Sequence, residues 1–250
     1  MGAAATKAAA TQGHCTLWKT DRSPACRAVM MALDSMNLSI TEVDVNVDKG
    51  EHKAKEMALN PLQTLPVFKD RDLVLHDSHA ICTYLASRYA ETTHILPKDP
   101  GSRSLVDQHL HYNSGVLYPR FRAAAYPVLY ESCNYIMPQQ IVDIESAYAD
   151  LEIMLTGCTW FGGSYPTLSD IVFAATVSTL NVLVPIEKQK YPRLAVWLQR
   201  VSDELFFVTA NRKGLSEFSR RIGELPNVQQ EFKCPRSSMR RRANEVIDHV

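Results

Sequence analysis

The sequence has no excess of charge of either sign, since 27 Lys and Arg residues are matched by 27 Asp and Glu residues. A protein that binds nucleic acid through phosphate contacts needs clustered positive charge, so this balance argues against such a partner. No apolar run approaches the roughly 18 residues of a membrane-spanning helix. The N-terminal stretch also lacks the apolar core of a signal peptide, and we expect a protein that is neither secreted nor membrane-spanning.

The cysteines lack the spacing of a redox or metal motif. There are six of them, with no CxxC pair and no metal-ligand pattern: Cys15, Cys26, Cys82, Cys133, Cys158 and Cys234. A chain of 250 residues can bury a sizeable core without disulfides. We therefore interpret the cysteines as reduced, mostly buried thiols of a cytoplasmic protein.

The two ends of the chain are low in large apolar residues. We expect residues 1–14 to be a flexible, Ala-rich extension, although Met1-Gly2 and the following residues also fit the loose pattern for N-myristoylation. Residues 221–250 are expected to form a disordered basic tail. A nuclear-import or acidic-lipid role for its arginines is conceivable, but a solvated tail is the favoured interpretation.

Short strands alternate with helices in the first third of the chain. The order is strand, helix, strand, helix, strand, strand, helix, which favours a parallel first pair and a closing hairpin. The predicted elements are residues 15–19, 24–36, 38–45, 51–59, 66–68 and 73–75, and a helix that begins at Asp77-Ser78.

The stretch from Asn60 to Tyr84 combines two features of a peptide-binding edge. The Leu65-Pro66 step leads into a short strand, and a proline there fixes the backbone, often as a cis turn. Asp77-Ser78 then begins a helix, whose free N–H groups and partial positive charge can hold a carboxylate. Together they predict a groove for a small anionic peptide.

After a linker at residues 93–103, the pattern is helical only. Long amphipathic helices are predicted across residues 105–121 (with Leu105 and Leu110 on one face), 139–155 and 191–208, and order weakens from about Lys213. Thr167 and Asp170 match a capping box before a nearly uncharged run that must form a central, buried helix. We expect one domain at residues 15–92 and a second at residues 104–220.

Three segments together resemble the cytosolic glutathione transferases, over a match from about Thr16 to about Asn211. They are residues 23–29 (SPACRAV), the Asn60–Tyr84 stretch, and residues 111–122 (HYNSGVLYPRFR). The last two resemble the insect delta and epsilon classes, and DSHAI with SGVL points to epsilon. The resemblance implies an α/β thioredoxin-like N-terminal domain (βαβαββα) and an all-α C-terminal helical domain, in a cytoplasmic homodimer.

The resemblance also implies the chemistry. Glutathione would be the co-substrate, with no metal and no tightly bound cofactor, and a small hydrophobic electrophile would be the second substrate. Ser23, beside Pro24 at the start of a helix, would be the catalytic hydroxyl that stabilises the glutathione thiolate. Cys26 competes with it, because Ser23-Pro24-Ala25-Cys26 has the spacing of a redox CxxC whose first cysteine is serine; we interpret Cys26 as a packed thiol.

By the same resemblance, seven residues would bind glutathione. Asp77 would meet the ammonium and Ser78 the carboxylate of the γ-glutamyl group, and the Leu65 backbone would pair with the cysteinyl amide. His79 stands where arginine is frequent, and Gln63 where histidine is usual, so binding is expected to be weaker. The set is His52, Gln63, Leu65, Pro66, Asp77, Ser78 and His79, with His52 and Gln63 at the glycyl end.

The hydrophobic substrate site would lie between the Ser23 loop and the first long helix. Tyr118, Phe121, Arg122 and Ala125 match its lining positions, and the segment around Phe218 could close it. Such a lining does not identify the ligand. Two other functions stay open: a glutathione-transferase-like binding protein for steroids or pigments, and a glutathione-dependent reductase that uses Cys26.

Overall fold

The computed structural model describes residues 10–51, 59–90, 94–131, 133 and 135–224. The first domain contains a four-stranded sheet in the order β2-β1-β3-β4. Strands β1 and β2 are parallel, whereas β1–β3 and β3–β4 are antiparallel, which confirms the predicted parallel pair and hairpin. The elements are β1 (Ala10–Lys19), α1 (Pro24–Ser35), β2 (Leu38–Asp44), β3 (Val67–Asp70), β4 (Leu73–Leu75) and α2 (Ser78–Tyr89).

The second domain is helical throughout the described residues. A π-helical turn, Asn113–Leu117, joins the first two helices into one long rod. The helices are α3 (Pro100–Tyr112), α4 (Tyr118–Tyr130), α5 (Pro138–Met154), α6 (Leu168–Leu183), α7 (Pro192–Asp203), α8 (Leu205–Ala210) and α9 (Arg212–Gly223). None of the described helices has the length and apolar composition needed to cross a membrane.

Helix α6 is the centre of the second domain, as its nearly uncharged sequence predicted. It begins with the predicted capping box, in which the Thr167 N–H donates to Asp170 Oδ2 at 3.0 Å. The other oxygen of Asp170 accepts from the Phe161 N–H at 2.9 Å and from Trp197 Nε1 at 3.0 Å. These hydrogen bonds satisfy a buried carboxylate and join three segments of the domain.

A buried arginine joins the two domains. Arg27 of α1 is fully buried and donates to Thr179 of α6 at 2.5 Å and to Asn211, the residue just before α9. Burial lowers the pKa of its guanidinium to about 9. Because its partners are neutral, the side chain holds α1 against the helical domain through hydrogen bonds and packing.

Several sequence-based boundaries were wrong. Strand β1 begins at Ala10, so residues 10–14 belong to the sheet and not to a flexible extension; backbone pairing with β2 extends it where the apolar alternation is absent. Helix α3 begins at Pro100, inside the predicted linker. Leu105 is exposed, and Val106 is buried in its place. The helix predicted at residues 51–59 falls almost wholly on 52–58, outside the described residues.

The end of the second domain also differs from the expectation. The helix predicted over residues 191–208 is broken at Glu204, whose extended backbone separates α7 from α8. Order continues through α9 to Gly223, beyond both Lys213 and the predicted domain end at residue 220. Its buried face is formed by Gly214, Phe218 and Ile222, which are spaced four residues apart. This short helix is stabilised by packing against other elements, which its own sequence does not reveal.

Candidate active site

Ser23 caps the N-terminus of α1. Its backbone is extended, Pro24 follows at the first helical position, and its Oγ accepts a hydrogen bond from the Cys26 N–H at 3.4 Å. The Ser23 side chain also lies on the wall of a cavity beside α4 and α9, where its hydroxyl can reach a ligand. A hydroxyl that accepts from a helix amide and donates outward suits the stabilisation of an anion.

Cys26, the competing candidate, is fully buried. Its Sγ accepts a hydrogen bond from the Thr20 N–H at 3.5 Å. Burial raises the pKa of the thiol to about 11. A thiol in this environment stays protonated at neutral pH and has no access to a substrate. The prediction that Cys26 is a packed thiol is confirmed.

The loop before β3 is organised by a buried asparagine. Asn60 Nδ2 donates to the Thr64 carbonyl at 2.8 Å, and its Oδ1 accepts from the Leu62 N–H at 3.0 Å. The Leu65–Pro66 peptide is cis, with Leu65 partly exposed and Pro66 buried. Gln63 is exposed on the turn, with a φ of 53°.

Asp77 caps α2 with one carboxylate oxygen. Oδ1 accepts from the His79 N–H at 3.0 Å and from the Ala80 N–H at 2.9 Å. The second oxygen, Oδ2, receives no hydrogen bond from the described residues, and the side chain is exposed. Ser78, the first residue of the helix, is buried beside it. The tip of α2 thus places a carboxylate oxygen beside Ser78, while the His79 and Ala80 N–H groups are engaged by the cap.

His79 contacts the π-helical turn of the other domain. Its Nδ1 lies 2.7 Å from Ser114 Oγ, which itself donates to the Leu110 carbonyl at 3.1 Å, so Nδ1 carries the proton. Asn113 Nδ2 donates to Nε2 at 3.0 Å. Burial lowers the pKa of His79, which agrees with this neutral tautomer. Both ring nitrogens are therefore engaged between the domains.

A cavity of about 60 Å³ separates the Ser23 loop from α4 and α9. Ser23, Tyr118 and Phe121 are on its wall, and the Phe121 ring lies 6.1 Å from the ring of Phe218 of α9. Burial raises the pKa of Tyr118, so its phenol stays neutral. The full lining is Thr20, Arg22, Ser23, Pro24, Val47, Tyr118, Phe121, Tyr126, Leu129, Tyr130, Phe218 and Arg221.

Two of the four predicted lining residues are not on this wall. Ala125 is buried in helix packing, and Arg122 is exposed with its guanidinium 4.6 Å from the centre of the Tyr126 ring. Sequence reasoning missed Tyr126 and Tyr130, although they continue the four-residue spacing that starts at Tyr118. His52 lies outside the described residues.

The geometry brings most of the predicted residues to one side of the first domain. The Ser23 hydroxyl, the Leu65–Pro66 turn and the tip of α2 are carried by elements next to β1 and β3, and an aromatic cavity opens beside Ser23. A thioredoxin-like domain that carries such a groove, joined to a helical domain that supplies an aromatic wall, defines the class of two-domain thiol-binding transferases.

Comparisons with known proteins agree with this class. The family described as "Glutathione S-transferase, N-terminal domain" matches residues 17–93, and "Glutathione S-transferase, C-terminal domain" matches residues 140–204. Glutathione S-transferase 1 of Manduca sexta is 38% identical over 202 residues, 80% of this chain and 93% of the relative. The chain therefore belongs to the glutathione S-transferase family and is a glutathione transferase.

Solved structures of glutathione transferases share the fold over most of this chain. An epsilon-class glutathione S-transferase from the housefly, Musca domestica, has a TM-score of 0.83 at 29% identity, covering 86% of this chain and 99% of that one. A glutathione transferase homologue from Drosophila mojavensis, solved with bound glutathione, has a TM-score of 0.83 at 30% identity, covering 86% and 98%.

Proposed function

We propose that the Ser23 hydroxyl stabilises the glutathione thiolate, which then attacks hydrophobic electrophiles or promotes elimination of HCl or isomerisation. One observation supports the proposal: the Ser23 hydroxyl caps the N-terminus of α1 and lies on the wall of the aromatic cavity. In a conjugation, the thiol proton leaves to solvent, a sulfur–carbon bond forms and the leaving group departs.

One hydroxyl at a helix N-terminus can lower the pKa of the glutathione thiol by the amount that the reaction requires. A free thiol has a pKa of about 8.5 and is only a few per cent thiolate at neutral pH. Lowering that pKa by about two units corresponds to roughly 2.7 kcal/mol. A charge-assisted hydrogen bond together with the N-terminus of α1 is of this magnitude.

The tip of α2 is the proposed seat of the γ-glutamyl group. Asp77 Oδ2 would pair with the ammonium while Oδ1 stays on the helix amides, and Ser78 would hold the carboxylate. The Leu65 backbone, set by Pro66, would pair with the cysteinyl amide, and Gln63 would donate to the glycyl carboxylate. His52 stays a proposal for the same end of the tripeptide.

For His79 we propose a different role from direct contact. Its ring nitrogens are taken by Ser114 and Asn113, so the side chain would position the tip of α2 against the second domain. Tyr118 and Phe121 would contact the electrophile, with Arg122 acting through the Tyr126 ring. The cavity is far smaller than the roughly 300 Å³ of a typical ligand site, so binding would require α4 and α9 side chains to move.

Cytoplasmic location and homodimer assembly are proposed on family membership alone. The ligand-carrier alternative is favoured by one observation, the exposed amide of Gln63 where related sequences usually have histidine. The reductase alternative has less support, because Cys26 is fully buried.

The test is conjugation of glutathione to a generic chloronitroaromatic by wild type, Ser23→Ala and Cys26→Ala. We expect Ser23→Ala to lose about 100-fold in rate, the equivalent of roughly 2.7 kcal/mol, and Cys26→Ala to retain it. An unchanged rate in Ser23→Ala would contradict the proposal. Tight binding of a hydrophobic ligand by a wild type with negligible turnover would support the carrier function.

A further inference from the structure

A second group of reactive side chains lies at the opposite end of β1 from Ser23. His14 Nε2, Cys15 Sγ and an Asp70 carboxylate oxygen all lie within 4.8 Å of one another. Cys15 and Asp70 are directly paired residues of the antiparallel strands β1 and β3. The mechanism above uses none of these three residues.

An irregularity in β1 brings its two residues together. Neighbouring side chains of a regular strand point to opposite faces of the sheet. Here Thr11 pairs with Ser39 and Thr16 pairs with Thr41, so five steps along β1 match only two along β2. Such a bulge redirects side chains. The imidazole of His14 and the thiol of Cys15 consequently approach the same carboxylate.

The two oxygens of Asp70 have different surroundings. Oδ2 accepts from Tyr84 at 2.6 Å and also from Tyr89. Oδ1 is buried and receives no hydrogen bond within the described residues, although His14 Nε2 lies 3.2 Å away. The residue as a whole is only 5% exposed. A buried carboxylate oxygen without a hydrogen bond needs an explanation, and a cation provides one.

We propose that His14 Nε2, Cys15 Sγ and Asp70 Oδ1 bind one divalent ion of the zinc type. One nitrogen, one thiolate and one carboxylate oxygen suit zinc or cobalt, whereas calcium and magnesium prefer oxygen ligands alone. The partial exposure of His14 leaves a route from solvent and a fourth position for water. Coordination by Cys15 releases its thiol proton to solvent.

The three side chains would need only a small rearrangement to coordinate a zinc ion. Ligands at about 2.0–2.3 Å from a tetrahedral zinc are roughly 3.3–3.6 Å from one another. The His14–Asp70 separation of 3.2 Å already matches. The Cys15 sulfur lies within 4.8 Å of both other ligand atoms, so it would have to approach by at most about 1.2 Å. Tyr84 and Tyr89 orient the carboxylate from the second oxygen, as outer hydrogen bonds do in metal sites. Tyr89 OH also lies 3.7 Å from Cys15 Sγ and 3.2 Å from His14 Nε2.

The test is titration of the reduced full-length protein with Co²⁺, followed by optical absorption. We expect one equivalent to produce a thiolate-to-cobalt charge-transfer band with the visible bands of tetrahedral cobalt. His14→Ala and Cys15→Ser should abolish the charge-transfer band. The controls Cys158→Ser, an exposed thiol, and Cys234→Ser should retain it.

A second readout is thermal unfolding with Zn²⁺. Binding to the folded state alone should raise the Tm of wild type and not that of His14→Ala, whose exposed side chain can be removed without disturbing the core. Glutathione conjugation should persist in His14→Ala and in Cys15→Ser, because Ser23 lies at the other end of β1. No cobalt band in wild type, or a band unchanged in Cys15→Ser, would overturn the proposal.

Discussion

At the scale of single residues, the proposed tripeptide site uses two helix tips, with the Ser23 hydroxyl at the cysteinyl sulfur and the Asp77 carboxylate at the γ-glutamyl group. Each also caps its helix, Ser23 for α1 and Asp77 for α2, so each contributes to stability in addition to its proposed role in binding. These contributions can be separated, because α3 is capped by a similar aspartate, Asp99, that lies in the connection between the domains and outside the proposed glutathione site.

Asp77→Ala should lower the free energy of unfolding by about 1 kcal/mol, because the helix cap is lost. It should also raise the KM for glutathione about 10- to 100-fold, because a charged hydrogen bond of roughly 1.5–3 kcal/mol is lost. Urea unfolding and steady-state kinetics measure the two effects. Asp99→Ala is the matched control, with a similar loss of stability and an unchanged KM. Equal KM values for the two variants would contradict the proposed role of Asp77.

The sequence predicted residues of the candidate site only where they belong to a recognisable motif. Ser23, Pro66 and Asp77 stand in segments with a specific resemblance, and the structure places them on adjacent elements. The engagement of His79 with Ser114 depends on contacts between domains, which spacing along the chain does not reveal. The pair His14-Cys15 is adjacent in sequence, but its partner Asp70 is brought in only by strand pairing.

At the scale of elements, α9 packs directly on the loop that carries Ser23. Lys213 Nζ lies 3.0 Å from Asp21 Oδ2, and Phe218 contributes to the cavity wall. Gly214 makes this approach possible, because a Cβ placed there would overlap the Asp21 carbonyl group and lie 2.9 Å from Arg27 Cδ. The position of α9 therefore affects the geometry of the proposed catalytic loop.

Gly214→Ala should destabilise the protein by about 1–3 kcal/mol through overpacking and should lower the conjugation rate by shifting the Ser23 loop. Gly223→Ala, at the end of the same helix, meets no atom within 4 Å and should be neutral or slightly stabilising. Thermal unfolding and the conjugation assay compare the two. Full activity and wild-type Tm in Gly214→Ala would show that α9 does not constrain the loop.

Element types were predictable where periodicity is strong, as in α5 and α6. The start of β1 and the presence of α9 were not predicted, because both depend on partners distant in sequence. Strand β1 is extended by pairing with β2, and α9 is a short helix whose three buried residues pack on other elements. Such elements are stabilised by tertiary packing more than by local propensity.

At the scale of the whole molecule, the buried His109 and the partly buried His79 should make stability depend on pH. Burial lowers the pKa of both His79 and His109 from their ordinary 6.5. His79 lies between the domains, and His109 contacts Ser169 at the start of the central helix, 3.0 Å from Nδ1 to Oγ. The two-domain architecture was predicted from sequence, whereas these contacts follow from how the domains pack.

The free energy of unfolding should fall as pH drops below about 6.5. Because the folded pKa values are lowered, the unfolded state binds protons first, so stability present above that pH is lost as pH approaches the folded values. Urea unfolding between pH 7.5 and 5 measures the slope. The double variant His79→Gln/His109→Gln should flatten it, whereas His94→Gln, an exposed histidine, should not. A flat wild-type profile would contradict this expectation.

The most direct measurement of the central claim is the titration of the glutathione thiol on the enzyme, followed by ultraviolet absorption of the thiolate. In wild type we predict a bound-thiol pKa about two units below the free value of about 8.5. In Ser23→Ala the pKa should return close to the free value while glutathione still binds. A wild-type pKa equal to that of free glutathione, or an equally lowered pKa in Ser23→Ala, would contradict the account.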